Sequence, residues 1–277
     1  MEGKGSGAVL LLHGLYGTPQ QLQYIGRKLC VAGGYTIHIP NIRGYSVFDE
    51  PVPSDTTGWE NWLDQVEIQF DLLRREHDKV SVAGLCIGAD LAMQLAARRG
   101  FELHALCLYS APLRYDGWNV TRMRWLKYLG YYTPARYFMS LPERSPYGLK
   151  DERIRQWVAT QMEKRGTSAI GSSRSPLKGV FETEKLMKAV RRNLHKIVAP
   201  TLIMHAVEDD LASPKNAEWI AQGLSSAQVR KVLLENCYHI ITMDFEKERV
   251  AQETLAFIAQ QSEKTELKKR PKLRLVS

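Results

Sequence analysis

Short, wholly apolar segments alternate along the chain with longer segments whose apolar residues recur at helical spacing. The first apolar segment, residues 8–12, is typical of a parallel strand that is buried on both faces. Five more strands are predicted at residues 35–39, 79–83, 104–109, 200–205 and 229–234. Helices are predicted between them, as at residues 59–75, where one face is apolar. The alternation predicts an α/β fold with a doubly wound, mostly parallel sheet and right-handed crossovers.

The stretch from residue 112 to residue 179 interrupts this alternation. It contains no predicted strand and is rich in tryptophan, tyrosine and proline. We therefore expect a helical cap over the carboxyl edge of the sheet, inserted into a core formed by residues 1–111 and 180–262. Residues 263–277 hold six basic and two acidic side chains, and we expect them to form a flexible basic tail.

Composition narrows the classes of protein to which the chain can belong. Its 277 residues are 44 % hydrophobic, which suffices for one α/β domain with an insertion and a large core. The formal net charge is +8, half of it in the tail, but no nucleic-acid-binding motif accompanies it. We therefore expect no nucleic-acid partner. The sequence also shows neither a signal peptide nor a transmembrane segment, so we expect a cytoplasmic protein.

The four cysteines differ in their surroundings. Their spacing fits neither a disulfide framework nor a metal site, and we expect no metal and no cofactor. Cys30, Cys107 and Cys237 are interpreted as packing residues. Cys86 lies in Gly-Leu-Cys-Ile-Gly, residues 84–88, between a predicted strand and a predicted helix. A cysteine in this setting is a candidate nucleophile.

The G-x-C-x-G sequence corresponds to a nucleophile elbow, a strand-to-helix turn so tight that the residues flanking the nucleophile must be small. The nucleophile lies at the amino end of the helix, where the helix dipole favours a thiolate. Asp90, in the first turn, is expected to stabilise the helix by its charge but to oppose a permanent thiolate. We therefore expect Cys86 to pass its proton to a histidine.

A histidine base and a carboxylate that orients it are expected in the chain order nucleophile, acid, histidine. His239, in the loop after the last predicted strand, fits this order. Three carboxylates follow the preceding strand. Asp209 is our preferred acid, and Asp210 and Glu208 remain alternatives.

Two N–H groups are expected to stabilise the oxyanion that forms during acyl transfer. One belongs to Ile87, the residue after the nucleophile. The other belongs to Leu15, which follows His13-Gly14 at the end of the first strand. The predicted site therefore comprises Cys86, Asp209, His239, Leu15 and Ile87.

These residues together resemble the small bacterial carboxylesterases and monoacylglycerol lipases of the α/β-hydrolase superfamily. The similar segments are spread over nearly the whole chain, with the cap and the tail least covered. They are residues 10–19, 34–37, 57–62, 84–88, 199–203 and 236–244. The resemblance implies an α/β-hydrolase fold. It also assigns the nucleophile to Cys86, the acid to Asp209, the base to His239 and the oxyanion donors to Leu15 and Ile87.

Three positions differ from that family. Cys86 stands where the family has serine, and Ala89 follows the elbow where a second glycine is usual. Gly44-Tyr45-Ser46 stands where the family has Gly-His-Gly. The elbow cysteine is similar to that of polyhydroxyalkanoate synthases and dienelactone hydrolases. The cysteine is either native or a replacement for serine, and the other differences favour a divergent natural lineage.

Three functions remain open. The first is hydrolysis of carboxylic esters or thioesters through a Cys-His-Asp triad, with an apolar acyl group favoured by the aromatic cap. The second is acyl transfer or acyl condensation, because a cysteine acyl-enzyme is a thioester that can pass its acyl group to an amine, alcohol or thiol. The third is a non-catalytic relative that binds an acyl ligand, against which the complete triad argues.

Basic side chains in the predicted cap bear on the identity of the acyl donor. They form either the solvated face of the cap or a contact for an anionic carrier such as coenzyme A or an acyl-carrier protein. They are Arg114, Arg122, Arg124, Lys127 and Arg136.

Overall fold

The computed structural model describes residues 1–5, 7–47, 58–120 and 130–269. In chain order, the strands of these residues are β1 (Gly7–Leu12), β2 (Thr36–His38), β3 (Lys79–Leu85), β4 (Leu106–Tyr109), β5 (Ser140–Pro142), β6 (Thr167–Ser168), β7 (Gly171–Ser172), β8 (Arg174–Pro176), β9 (Thr201–Ala206) and β10 (Val229–Leu234). The α-helices are α1 (Gln20–Gly33), α2 (Trp59–Glu76), α3 (Ile87–Arg99), α4 (Glu152–Arg165), α5 (Leu177–Asn193), α6 (Lys215–Gly223) and α7 (Lys247–Lys269).

The long strands form one six-stranded sheet, in the order β10-β9-β4-β3-β1-β2. Every neighbouring pair in it is parallel. In the register of β1 and β3, Leu12 lies beside Gly84, so the loops that follow these strands leave the same edge of the sheet side by side. The six strands predicted from the apolar runs are thereby confirmed, with ends that differ by up to two residues.

Helices cover both faces of this sheet, as expected for a doubly wound fold. Successive side chains of β1 point to opposite faces, and all are buried because each face carries its own core. Ala8, Leu10 and Leu12 pack with apolar residues of α2, α3 and α5. Val9 and Leu11 pack with apolar residues of α1 and α7.

Two pairs of short antiparallel strands lie in the stretch for which no strand was predicted. β5 pairs with β8, and β6 pairs with β7. These strands are two or three residues long and largely polar, so they give no periodic signal. The prediction of an insertion without strands was wrong at these residues. In the described part of this stretch, α4 lies wholly inside it and α5 begins near its end.

The start of α1 and the end of α7 are defined in the structure. The Thr18 hydroxyl accepts from the N–H of Gln20 at 3.3 Å, and Pro19 between them has helical backbone angles, so Thr18 caps α1. The same hydroxyl donates to the carbonyl of Ala169, at 2.6 Å. α7 continues to Lys269, so residues 263–269 of the expected tail are helical. Residues 270–277 lie outside the described chain.

No helix of the described residues is long and apolar enough to cross a membrane.

Candidate active site

Cys86 lies at the turn between β3 and α3, with φ 54° and ψ −124°. A positive φ is strained for a residue with a side chain, and it persists only where the surroundings enforce it. Here the Cys86 N–H donates to the carbonyl of Tyr109, at 2.9 Å, and the Cys86 carbonyl accepts from the N–H of Ala89, also at 2.9 Å. The strained turn holds the thiol at the carboxyl edge of the sheet.

Gly84 and Gly88 permit this turn because protein backbone occupies the space of a side chain at both positions. A Cβ on Gly84 would lie 2.3 Å from the carbonyl oxygen of Gly88. A Cβ on Gly88 would lie 2.2 Å from the carbonyl oxygen of Leu12, in β1. The start of α3 is therefore packed directly on the ends of β1 and β3.

The imidazole of His239 faces the carboxylate of Asp209. Its Nδ1 lies 2.9 Å from Oδ1 and 2.9 Å from Oδ2 of Asp209. A carboxylate accepts only, so Nδ1 carries the proton and Nε2 is left as the basic nitrogen. Nε2 is buried and has no hydrogen-bond partner among the described residues. His239 and Cys86 line the same cavity.

Opposing effects set the pKa of His239. Burial alone lowers it, but the Asp209 carboxylate and the neighbouring Cys86 side chain together outweigh burial and raise the pKa well above its usual value. Burial would likewise raise the pKa of Asp209, and the charge and hydrogen bond of His239 hold it below its usual value instead. The protein therefore stabilises an imidazolium beside a carboxylate, which is the charge state that a base acquires after taking a proton.

Other groups fix the Asp209 carboxylate in place. Its Oδ1 accepts from the N–H of Leu211, at 2.9 Å, and from that of Ala212, at 2.7 Å. His205 donates from Nε2 to the Ala212 carbonyl at 2.8 Å, and the same nitrogen lies 3.3 Å from Oδ2 of Asp209. Burial lowers the pKa of His205, so its ring is neutral and acts as a donor to the carboxylate.

The other two candidate acids have different partners. Asp210 accepts from the backbone N–H of His239 and from that of Gly148, each at 3.3 Å. Glu208 is exposed and pairs with Lys150. Of the three carboxylates, Asp209 is the one hydrogen-bonded to the imidazole.

Asp244 organises the loop that carries His239, although its sequence position gave no such signal. Its side chain is fully buried and accepts four backbone N–H groups at 2.7 to 3.0 Å. Tyr238 and Phe245 are the chain neighbours of His239 and of Asp244. Lys150 and Asp151 lie immediately before α4. The carboxylate thereby joins the histidine loop to the insertion.

The expected oxyanion donors lie on the loops that leave β1 and β3. Among the described residues, neither the N–H of Leu15 nor that of Ile87 donates to a backbone carbonyl. Both residues line the cavity that contains Cys86. Two such N–H groups beside a candidate nucleophile are suited to an incoming carbonyl oxygen.

The buried side chain of His13 holds the loop after β1 in place. Its Nδ1 donates to the carbonyl of Gly14 at 2.8 Å, and its Nε2 accepts from the hydroxyl of Ser46 at 2.8 Å, because a carbonyl cannot donate. The Tyr45 hydroxyl donates to the carbonyl of His13 at 2.6 Å. Burial lowers the pKa of His13 to about 4, so the ring is neutral at neutral pH. Tyr45 and Ser46, which differ from the family pattern, thus support this loop.

Gln21 ties the same loop to the insertion. Its Oε1 accepts from the N–H of Gly14 at 2.8 Å, and its Nε2 donates to the carbonyl of Ile170 at 2.6 Å. Gln21 is buried in the first turn of α1. This contact was not predictable from the sequence, because Gln21 and Ile170 are far apart along the chain.

Asp90 does not play the electrostatic role expected for it. The side chain is fully buried, and neither oxygen has a hydrogen-bond partner among the described residues. Burial raises the pKa of Asp90 well above its usual value, although the charge of Arg191 opposes the shift. The protonated form is therefore favoured, and the expected helix-stabilising charge is suppressed.

A cavity of about 860 Å³ lies between the sheet edge and the insertion. Its floor is formed by the loops after β1, β3, β9 and β10, and its walls are largely apolar. Apolar lining residues include Leu15, Met139, Met162, Ile170, Leu177, Val180 and Ile240. This volume lies within the usual range for small-molecule sites.

The remaining predicted features fall outside the cavity. All four cysteines are free thiols. Cys107 and Cys237 are buried, as expected for packing residues, whereas Cys30 is half-buried.

Two of the basic residues of the predicted cap lie over aromatic rings. The guanidinium of Arg114 lies 5.1 Å from the ring centre of Trp219, and the guanidinium of Arg136 lies 4.8 Å from the ring centre of Tyr137. The other basic residues of the predicted cap, Arg122, Arg124 and Lys127, lie outside the described residues. The described side chains contain no cluster of three or more metal-ligating groups.

Comparison with known proteins agrees with this architecture. The family model Hydrolase_4, described as "Serine aminopeptidase, S33", matches residues 3–247. The chain belongs to this family of α/β-hydrolases. The predicted α/β-hydrolase fold is thereby confirmed, and the chain is an enzyme of this class. The family description names a serine enzyme, whereas this hydrolase carries Cys86 at the elbow.

Individual relatives match over almost their whole length. The thermostable monoacylglycerol lipase of Bacillus sp. (strain H-257) is 25 % identical over 92 % of this hydrolase and 91 % of its own chain. The carboxylesterase of Bacillus subtilis (strain 168) is also 25 % identical, over 92 % and 93 %. The solved structure of a metagenome-derived lipolytic enzyme superposes with a TM-score of 0.77 at 22 % identity, covering 94 % of this hydrolase and 95 % of that chain.

Proposed function

We propose that this hydrolase cleaves carboxylic esters and thioesters of apolar acyl groups through a covalent acyl intermediate on Cys86. The observation that carries the proposal is the state of His239. Its Nδ1 is held by Asp209 at 2.9 Å, while its buried Nε2 has no partner among the described residues and lines the same cavity as Cys86. An imidazole oriented in this way can take the proton of a neighbouring thiol, and the raised pKa of His239 favours the imidazolium that results.

The first half of the reaction acylates the enzyme. His239 Nε2 takes the thiol proton of Cys86, and the sulfur attacks the carbonyl carbon of the substrate. The resulting oxyanion accepts hydrogen bonds from the N–H groups of Leu15 and Ile87. When the tetrahedral intermediate collapses, the bond to the leaving oxygen or sulfur breaks, and His239 gives its proton to that atom. A thioester on Cys86 remains.

The second half releases the acid. His239 Nε2 takes a proton from water, the hydroxide oxygen attacks the thioester carbonyl, and the C–S bond to Cys86 breaks. The proton on His239 returns to the thiolate. The raised pKa of His239 and the lowered pKa of Asp209 favour the imidazolium–carboxylate state through which both halves pass.

The lining of the cavity supports an apolar acyl group. Aliphatic side chains from the insertion, among them Met139, Met162 and Ile170, lie on its walls. A buried alkyl chain gains about 0.8 kcal/mol for each methylene group removed from water. A carrier such as coenzyme A or an acyl-carrier protein remains an alternative donor. Arg114 and Arg136, which would meet its phosphates, lie over aromatic rings.

The test measures hydrolysis of p-nitrophenyl butyrate and of a butyryl thioester by the wild-type enzyme, Cys86→Ala and Cys86→Ser. We expect release of butyrate by the wild type and background rates in Cys86→Ala. Cys86→Ser should retain activity on the oxygen ester, because serine is the residue that the family description names. Butyrate release by Cys86→Ala at the wild-type rate would contradict the proposal.

Acyl transfer is the second function that a Cys86 acyl-enzyme allows. Adding amines, alcohols and thiols to the same reaction separates the two functions, because an acceptor that competes with water diverts butyrate into a new ester, amide or thioester. Hydrolysis predicts that free butyrate remains the main product with every acceptor. A transferase would form the acceptor product in excess.

A further inference from the structure

A tight turn after β1 fixes the direction of the Leu15 N–H. The N–H of Gly17 donates to the carbonyl of Gly14 at 3.0 Å, which closes a β-turn over residues 14–17. The carbonyl of Gly14 and the N–H of Leu15 belong to one planar trans peptide, so they point in opposite directions. The bond from Gly17 therefore orients the N–H of Leu15 as well.

The peptide that closes this turn is held at its other end by the insertion. The carbonyl of Tyr16 shares a peptide with the N–H of Gly17, and it accepts from the N–H of Ser172, in β7, at 3.0 Å. Three peptide units thus form a continuous chain of hydrogen bonds from β7 to the N–H of Leu15. Each bond in such a chain polarises the next, which strengthens the last N–H as a donor.

The backbone of Tyr16 is strained within the turn. Its φ is 49°, at the third position of the turn, where a positive φ favours glycine. Such a conformation persists only where the surroundings enforce it. The N–H of Tyr16 donates to the carbonyl of Tyr45 at 2.9 Å, which fixes the turn to the core of the fold.

The phenol of Tyr16 fixes the same turn to the insertion. The backbone N–H of Gly179 donates to the phenol oxygen. Gly179 is the third residue of α5, so its N–H has no carbonyl partner within the helix. A Cβ on Gly179 would overlap the phenol oxygen, and a Cβ on Gly171 would overlap the Tyr16 carbonyl oxygen. The insertion therefore closely contacts both the side chain and the backbone of Tyr16.

This turn lies against the candidate nucleophile. A Cβ on Gly14 would lie 3.6 Å from the Cβ of Cys86, and Leu15, Tyr16 and Cys86 all line the cavity. The N–H of Leu15 donates to no backbone carbonyl among the described residues. The conformation of the turn therefore determines where this N–H meets the carbonyl oxygen of a substrate attacked by Cys86.

We propose that Tyr16 is a positioning residue for the oxyanion hole, which holds the N–H of Leu15 in place by joining its turn to the insertion. The inference rests on the proposed function, because the N–H of Leu15 has this role only if Cys86 attacks a carbonyl. It also makes the oxyanion hole dependent on the seating of the insertion. Loss of the phenol contact should slow the steps that form an oxyanion and spare the reactivity of the thiol.

Two reactions of Cys86 separate these effects. In acylation by p-nitrophenyl butyrate, the sulfur attacks a carbonyl, an oxyanion forms, and p-nitrophenolate leaves. In alkylation by iodoacetamide, a C–S bond forms as the C–I bond breaks, iodide leaves, and the thiol proton passes through His239 to water. No oxyanion forms in the second reaction. Both reactions use the same thiol and the same base, so the ratio of their rates reports on the oxyanion donors.

Tyr16→Phe removes the phenol hydroxyl and retains the ring. We expect kcat/KM for acylation to fall roughly tenfold, less than the roughly 10²- to 10³-fold loss that follows deletion of a donor, because the N–H of Leu15 remains. Alkylation should stay within about twofold of the wild-type rate. The matched control is Tyr24→Phe, whose lost hydroxyl donates to Glu248 in the wild type, and it should leave both reactions unchanged.

Gly179→Ala tests the same contact from the insertion. Its new Cβ would displace the phenol while Tyr16 is retained, so acylation should again be slowed and alkylation spared. This variant also serves if Tyr16→Phe does not fold, as judged by circular dichroism and thermal unfolding.

A second ester distinguishes positioning from direct contact with the substrate, because Tyr16 lines the cavity. A positioning role predicts that Tyr16→Phe slows acylation by p-nitrophenyl acetate and by p-nitrophenyl butyrate by the same factor. A loss confined to the butyrate ester would assign Tyr16 to binding of the acyl chain and overturn the inference.

The remaining outcomes separate the inference from the proposed function. If Tyr16→Phe acylates at the wild-type rate, or loses acylation and alkylation equally, the inference is rejected and the proposed function stands. If the wild-type enzyme itself is not acylated on Cys86, the proposed function is rejected and the inference with it.

Discussion

Nδ1 of His239 lies 2.9 Å from both carboxylate oxygens of Asp209. This contact determines the chemistry of the ring, because it places the proton on Nδ1 and leaves Nε2 as the base. Two backbone N–H groups and His205 hold the carboxylate in turn. The orientation of His239 therefore depends on a network that is buried and largely satisfied.

Replacing Asp209 with asparagine should remove this orientation. An amide can donate to Nδ1, which would move the ring proton to Nε2 and leave no base facing Cys86. We expect kcat/KM for p-nitrophenyl butyrate to fall roughly 10³-fold. Glu208→Gln is the matched control, since Glu208 is exposed and pairs with Lys150, and it should change the rate by less than about twofold. An Asp209→Asn enzyme of wild-type rate would contradict the assigned role.

The buried His13 should make the stability of the protein depend on pH. Its folded-state pKa is about 4, whereas the unfolded chain titrates near 6.5, so between these values the unfolded state binds more protons. The free energy of unfolding should therefore fall as the pH falls through this window. The shift corresponds to about 3 kcal/mol for this residue.

Urea unfolding at a series of pH values checks this expectation. The variant His13→Gln lacks the pH-dependent stabilisation that comes from keeping His13 neutral. The unfolding free energy of the wild type minus that of the variant should therefore decrease by about 3 kcal/mol from pH 7 to pH 4. A difference that stays constant over this range would show that His13 is not held neutral in the folded protein.

The contact between the elbow and β1 predicts a large effect of a single methyl group. In Gly88→Ala the new Cβ would lie 2.2 Å from the carbonyl oxygen of Leu12, and backbone must move to accommodate it. We expect a loss of roughly 2 kcal/mol or more in unfolding free energy, together with loss of activity. Gly58→Ala is the control, because no described residue has an atom within 4 Å of a Cβ there. Thermal unfolding of the two variants to the same extent would contradict the packing described for the elbow.

The central sheet was predictable from the sequence because its strands are continuous apolar runs that are buried on both faces. Residues 8–12 illustrate this, since every side chain is buried by helices on one face or the other. The strand pairs of the insertion were not predictable, because β6 and β7 have two residues each and are fixed by contacts with the rest of the fold.

The candidate site was predictable where local sequence determines it. The turn at Cys86 is built from adjacent residues, whereas the choice between Asp209 and Asp210 depends on the path of the backbone after β9. The supporting groups were not predictable for a similar reason. Gln21 contacts Ile170 and Asp244 contacts Lys150, and each pair joins distant parts of the chain.

The central claim is that Cys86 carries the acyl group, and intact-mass spectrometry of the enzyme mixed with p-nitrophenyl butyrate tests it most directly. Rapid acid quenching preserves a thioester, so the account predicts one added butyryl group, which peptide mapping assigns to Cys86 and which is absent in Cys86→Ala. His239→Ala should form this adduct far more slowly, because no base removes the thiol proton. An adduct that persists in Cys86→Ala, or that maps to another residue, would contradict the account.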